Sequence, residues 1–129
     1  MSIPDLGRQA GIRLHDAARA GEFRMSEEVA RELAASCDRL VERLQAARNG
    51  AAELTQVAGF PELPSGRALT AGFSAKGREL LDVLTAFEQA ALRHKAAYLA
   101  AAALFEEADA ANAAALAAAL ADTGPITAS

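Results

Sequence analysis

The chain has 129 residues, a formal net charge of −4, and 52% hydrophobic residue types of which few are aromatic. The length fits one domain. Alanine supplies most of the apolar count, so the chain favours helix strongly while offering few bulky core anchors. No Lys or Arg follows Lys95, against Glu106, Glu107, Asp109 and Asp122, which argues against a phosphate-binding surface or a basic membrane-surface helix at that end.

In chain order, residues 4–20 come first. Leu6, Ala10, Leu14 and Ala17 recur at three- and four-residue steps, which predicts a short amphipathic helix that Gly7 and Gly11 weaken by about 1 kcal/mol each. The opening "MSIPDLGRQAGIR" has no basic segment followed by an apolar one and no twin arginine, so no cleavable leader is expected. A second helix is predicted over 26–57. Ser26 is a suitable N-cap, and Glu27 and Glu28 suit the positive end of the helix dipole. Its apolar stripe runs Met25, Val29, Leu33, Cys37, Leu40, Leu44, Ala47, Ala51, Leu54, averaging about 3.6 residues per step. The Asn49-Gly50 pair could end it, but the stripe continues in register beyond.

The stretch "GFPELPSGRALTAGF", residues 59–73, interrupts the helical pattern. Pro61 and Pro64 remove donors and push the preceding residues out of helix. A hairpin turn over 58–64 follows, with Gly59 and Phe60 in the turn and Ser65 and Gly66 opening the next helix, Ser65 as its cap. That last helix is predicted to run unbroken over 65–121, because no Pro or Gly occurs from Arg78 to Thr123. Its stripe passes through Phe73, Gly77, Leu80, Leu84, Phe87, Ala91, His94, Tyr98, Ala101, Phe105 and Ala108. Between 86 and 121, 19 of 36 residues are alanine, which suits close helix–helix contact. Residues 122–129 read as a disordered tail. The predicted class is all-α: a single domain, residues 1–121, forming an elongated antiparallel helical hairpin with an additional short N-terminal helix.

The seam of that hairpin is expected to bury Phe60, Leu69, Phe73, Leu80, Leu84 and Phe87 against Val29, Leu33, Leu40, Leu44 and Leu54. The two long helices differ in length, about 48 Å against about 84 Å at 1.5 Å per residue. Some 25 residues at the end of the second are then left without a partner, to be covered by the 4–20 helix or by another chain. Tyr98, Phe105 and Asp109 mark this overhang as the candidate partner-binding and export surface.

No constellation in the sequence announces chemistry. His15 and His94 stand in no Glu-x-x-His or His-Glu-x-x-His pattern, and Cys37 has no second cysteine, so neither a metal site nor an internal disulfide is expected. The "EEAD" carboxylates at 106–109 share one helical turn, whereas carboxylate catalysis needs two groups across a cleft. No Gly-Lys-Ser/Thr phosphate loop occurs. Neither enzymatic activity nor a cofactor is expected. The 96–121 tract is interrupted by acidic residues and is too short and alanine-based for a membrane span, and a narrow alanine seam leaves little room for a small ligand.

Three segments carry a family likeness: "GEFRMSEEVARELAASCDRL", "VAGFPELPSGRALTAGFSAKGREL" and "FEEADAANAAAL". Over residues 21–120 the layout resembles the small helical hairpins of the WXG-type superfamily associated with type VII (ESX) secretion, in its actinobacterial branch. The family's Trp-x-Gly turn is absent. Its export motif, Tyr followed after three residues by an acid, fails at Tyr98, which meets Ala102, and is met in spacing by Phe105 and Asp109. The resemblance implies a non-enzymatic protein that pairs with another helical protein as co-secreted partner, targeting factor or chaperone, in a four-helix arrangement. It implies a cytoplasmic location before export and secretion without a cleavable signal peptide. The alternative from the residues alone is a self-associating helical bundle, a homodimer with a scaffolding role. Neither reading involves nucleic acid or stable membrane insertion.

Overall fold

A computed structural model describes residues 5–54 and 64–123. They form four helices: α1 (Arg8–Arg19), α2 (Glu27–Leu54), α3 (Pro64–Ala101) and α4 (Phe105–Thr123). No strand occurs among the described residues, and the chain is all-α.

Local chemistry sets the first boundaries. Gly7 has φ 102° at the start of α1, and the Asp5 carboxylate accepts hydrogen bonds from the Gly7 and Gln9 amides, both at 3.2 Å. α1 ends at a left-handed residue: Gly21, with φ 80°, donates its amide to the Ala18 carbonyl while Glu22 donates to Ala17. This pair of bonds is the Schellman termination, and glycine suits it because it lacks a Cβ. α2 starts as expected, with Ser26 Oγ accepting from the Val29 amide at 3.2 Å. It passes Gly50 without a break.

α3 begins at Pro64, so Ser65 is a helical residue and not the cap. Proline is favoured at a first helical position because its missing N–H would have no helical partner there. Gly59 and Phe60, with most of the expected 58–64 turn, lie outside the described residues, as do residues 55–57 of the expected second helix and 124–129 of the expected tail.

The expectation of one unbroken helix over 65–121 is overturned. The chain turns back at residues 102–104, where Ala103 takes φ 62°. The Ala103 amide bonds to the Ala100 carbonyl at 2.9 Å and the Leu104 amide to Leu99 at 2.9 Å, the same termination as at Gly21 but built on alanine. A left-handed alanine is disfavoured by about 1–2 kcal/mol. Three features offset this. Leu104 packs on the core cluster that contains Leu99, the Met25 amide caps the Ala101 carbonyl at 3.1 Å, and α4 folds onto α3. Glu106 and Glu107 then sit in the first turn of α4, where the helix dipole favours them.

α3 is the hub, and α1, α2 and α4 each pack against it. Glu88, Gln89, Ala90, Ala91 and Leu92 are all buried. Five consecutive residues at 100° each cover the whole circumference of a helix, so this segment is enclosed on every side. The main cluster joins all four helices through Ala18, Ala34, Ala96, Leu99, Ala100 and Ala108, with Phe23 and Met25 packed against it. A second cluster unites Val41, Ala91, Leu92 and Ala115.

The expected seam is therefore corrected. Leu69, Phe73, Leu80 and Phe87 are 50, 49, 42 and 43% exposed, and Val29 and Leu40 are 45 and 44% exposed. Leu33, Leu44 and Leu84 are half-buried, Phe60 lies outside the described residues, and the Leu54 side chain is likewise not described. The buried face of α2 is Ala30, Ala34, Val41 and Ala51. Small side chains let the helices approach closely, and bulkier ones are displaced to the rim of the contact.

Candidate interaction surfaces

The unpartnered overhang expected at the C-terminal end does not form, because α4 doubles back along α3. Tyr98, Phe105 and Asp109 are accordingly part of intramolecular contacts. Tyr98 is half-buried in α3, its ring centroid 6.3 Å from that of His94, and burial pushes its hydroxyl pKa up. Phe105 and Asp109 lie one turn apart on α4, and Arg19 of α1 engages both: its guanidinium carbon sits 4.6 Å from the Phe105 ring centre, and its Nη1 is 3.2 Å from Asp109 Oδ1. The helix over 8–19 thus covers part of the strip, as one of the two expected solutions required. Burial also raises the Cys37 thiol pKa, which suits a small packing residue more than a reactive one.

Polar residues absent from the expected site organise the junctions. Arg31 bridges α2 to α4 with two hydrogen bonds to Glu107, at 2.9 and 3.0 Å, and a third to Glu27 at 2.9 Å. Arg31 in turn holds the Glu107 carboxyl below its usual pKa. Lys95 of α3 donates to Asp38 of α2 at 2.7 Å. Glu88, 3% exposed, accepts from Arg48 and from Gln45, the latter at 3.1 Å. A fourth set joins α1, α3 and α4: Arg93, Asn112 and His15. The available sequence signal was polarity out of place. Glu88 interrupts "TAFEQAAL" and Asn112 interrupts a run of alanines.

α2 and α4 both rest on α3, with a furrow between them. Three cavities of about 490, 370 and 250 Å³ follow one another along it. At one end Glu107, Ala110 and Leu99 line the space. In the middle Val41, Arg48, Glu88, Leu92 and Ala117 do so. Asn49, Ala52, Leu81 and Ala121 close the other end. The span from Glu107 to Ala121 is about 21 Å at 1.5 Å per residue, four turns of helix. One wall is alanine, the floor carries Leu81, Leu92 and Leu99, and the polar groups are Gln45, Arg48, Asn49, Glu88, Lys95 and Glu107. Bulky side chains are also exposed elsewhere. Ala68, Leu69, Gly72 and Phe73 line a shallow apolar hollow on the first half of α3, and Leu116 is 55% exposed on α4.

Among the described residues, no group of three or more His, Cys, Asp or Glu side chains is placed to hold a metal ion, and no helix is long and apolar enough to cross a membrane. Compared with known proteins, the chain matches no family model, no curated protein and no solved structure.

Proposed function

We propose that this chain is a non-enzymatic binding module that receives one helix of a partner protein in the furrow between α2 and α4, in the role of partner, targeting factor or chaperone that its likeness to type VII secretion-associated hairpins implies. The observation that carries the reading is the furrow itself. It is four turns long, walled by alanine on α4, and floored by leucines of α3. Alanine walls let a helix backbone approach closely, and an apolar floor with a polar rim suits an amphipathic helix. A helix seated there would make a four-helix bundle with α2, α3 and α4.

The test blocks the furrow and leaves the core intact. Ala114 and Ala117 line the furrow and are exposed, so Ala114→Arg with Ala117→Arg should preserve the melting temperature while abolishing co-purification with helical proteins encoded beside this one. Unchanged co-purification would remove the furrow from the reading. A second reading, self-association as a scaffold, is favoured by the exposed Leu69 and Leu80. It predicts a homodimer in light scattering that survives the furrow block and dissociates in Leu69→Glu, Leu80→Glu.

A further inference from the structure

We propose that His15, Asn112 and Arg93 form a proton-sensitive latch that fastens α1 to α3 and α4 at neutral pH and releases it on acidification. Arg93 Nη1 of α3 donates to Asn112 Oδ1 of α4 at 3.0 Å. A guanidinium can only donate, so the Asn112 carboxamide must turn its oxygen toward Arg93. Its Nδ2 then faces His15 Nε2 of α1, 3.3 Å away. That ring nitrogen has to accept, which requires the neutral imidazole with its proton on Nδ1. Protonation of His15 would place an N–H against the Asn112 amide N–H. Flipping the carboxamide offers no escape, because it would set the same N–H against Arg93.

Charged and titratable groups face the ring from the elements packed around it, α1, α3 and α4. α1 contributes Asp16, with Oδ1 3.9 Å from His15 Nδ1, and Arg19. α3 contributes Arg93, whose buried Nε has no hydrogen-bond partner among the described residues, and His94, whose Nδ1 is occupied by the Ala90 carbonyl at 2.8 Å. α4 contributes Asp109, already paired with Arg19. The two carboxylates are 75 and 65% exposed and well screened by water, whereas the His15 side chain is 13% exposed. Burial, then the Arg19 charge, lower the His15 pKa from its ordinary 6.5, outweighing the opposing pull of Asp16 and Asp109.

Besides the latch, α1 is held by Ala18 in the core cluster and by Arg19 against Phe105 and Asp109. It has 12 residues, of which only Gly11 and Ala18 are fully buried, and a helix this short is marginal on its own. The sign follows from linkage. The folded state binds the His15 proton more weakly than the unfolded state, so the latch is at full strength above pH 6.5 and weakens as pH falls from there through the lower folded-state value. One proton limits the response to about tenfold in local opening per pH unit.

Hydrogen exchange on the full chain between pH 7.5 and 5, corrected for intrinsic rates, tests this. Protection of the α1 amides should fall by up to about tenfold per pH unit, ahead of the amides of Ala96 to Leu99 in α3. His15→Gln, which offers a non-titrating acceptor, should flatten the response. Asn112→Asp should reverse it, because a carboxylate accepts from Arg93 and from the imidazolium together. Nitrogen NMR of the unmodified protein at pH 7.5 should show the Nδ1–H tautomer at His15, a readout that needs no variant to fold. Constant α1 protection across the range, a response that persists in His15→Gln, or an Nε2–H tautomer would each overturn the proposal.

Discussion

The two halves of α3 solve different problems with the same backbone. Of the described buried residues in this helix, only Gly66 and Gly77 precede Thr85, while most of the segment from Thr85 to Ala101 is buried. The first half carries the bulky side chains, Leu69, Phe73 and Leu80, and leaves them 42 to 50% exposed. The second half has seven alanines among its 17 residues, with Leu92 and Leu99 buried beside them, and the other three helices gather around it. The bulky apolar side chains of the first half stay at the surface, while alanines together with Thr85, Glu88, Gln89, Leu92 and Leu99 fill the contacts of the second. Close approach of three neighbours favours small residues at many of the enclosed positions, whereas an exposed half places no such demand.

The sharpest way to break this contrast is to exchange side-chain sizes. Ala96 is 0% exposed, where α3 meets α4 and the end of α1. Ala96→Leu should destabilise the chain by about 1–3 kcal/mol through overpacking. Ala68→Leu, at an exposed position of the first half, should stay within about 0.5 kcal/mol of the parent. Urea denaturation of the two variants measures both. Equal effects would mean that the alanines of the second half are there for helix propensity alone.

A smaller effect is expected where the second half acquires its third neighbour. α4 packs back only because the chain turns at Ala103, a left-handed alanine with φ 62°. The equivalent position after α1 is Gly21, at φ 80°. Ala103→Gly should therefore stabilise by about 1 kcal/mol, since the strain of a left-handed L-residue disappears, and Ala103→Val should destabilise by at least as much. Thermal melts resolve the pair. A loss of stability in Ala103→Gly would show that the turn is not strained, or that the Ala103 side chain supports it.

This turn also marks the limit of what the sequence discloses. Ser26 announced the start of α2, and the prolines at 61 and 64 the region in which α3 starts, because each residue type has a backbone preference of its own. Ala103 has none for a left-handed turn, and it stands among alanines at 100 to 103 with excellent helix propensity. Local preference pointed to an unbroken helix, and tertiary packing prevailed. The same physics displaced the expected seam. A stripe of large residues at a 3.6-residue spacing identifies the buried face when a helix has one neighbour, but α3 has three, and its enclosing residues are alanines too frequent to form a stripe. Of the expected surface, Phe105 and Asp109 do share one partner, Arg19, and Tyr98 belongs with His94. The furrow was invisible beforehand because it depends on α4 reversing direction.

The smallest effect concerns glycines that no close contact requires. A Cβ added at Gly72, in the exposed half of α3, would meet nothing within 4 Å, and the same holds at Gly50 of α2. Neither has a positive φ. A Cβ at Gly11 would come within 2.8 Å of the Arg93 Cβ, against the enclosed half. Glycine inside a helix is about 0.5–1 kcal/mol less favourable than alanine through the greater freedom of its unfolded chain. Gly72→Ala and Gly50→Ala should each recover that amount, roughly 2–5 °C in melting temperature for a chain of this size, whereas Gly11→Ala should lower it by forcing α1 away from α3. The opposite signs of one substitution type would then separate open from enclosed surface on the same helix. A Gly72→Ala variant that melts below the parent would place a close neighbour against the first half of α3, and that half could no longer be treated as open.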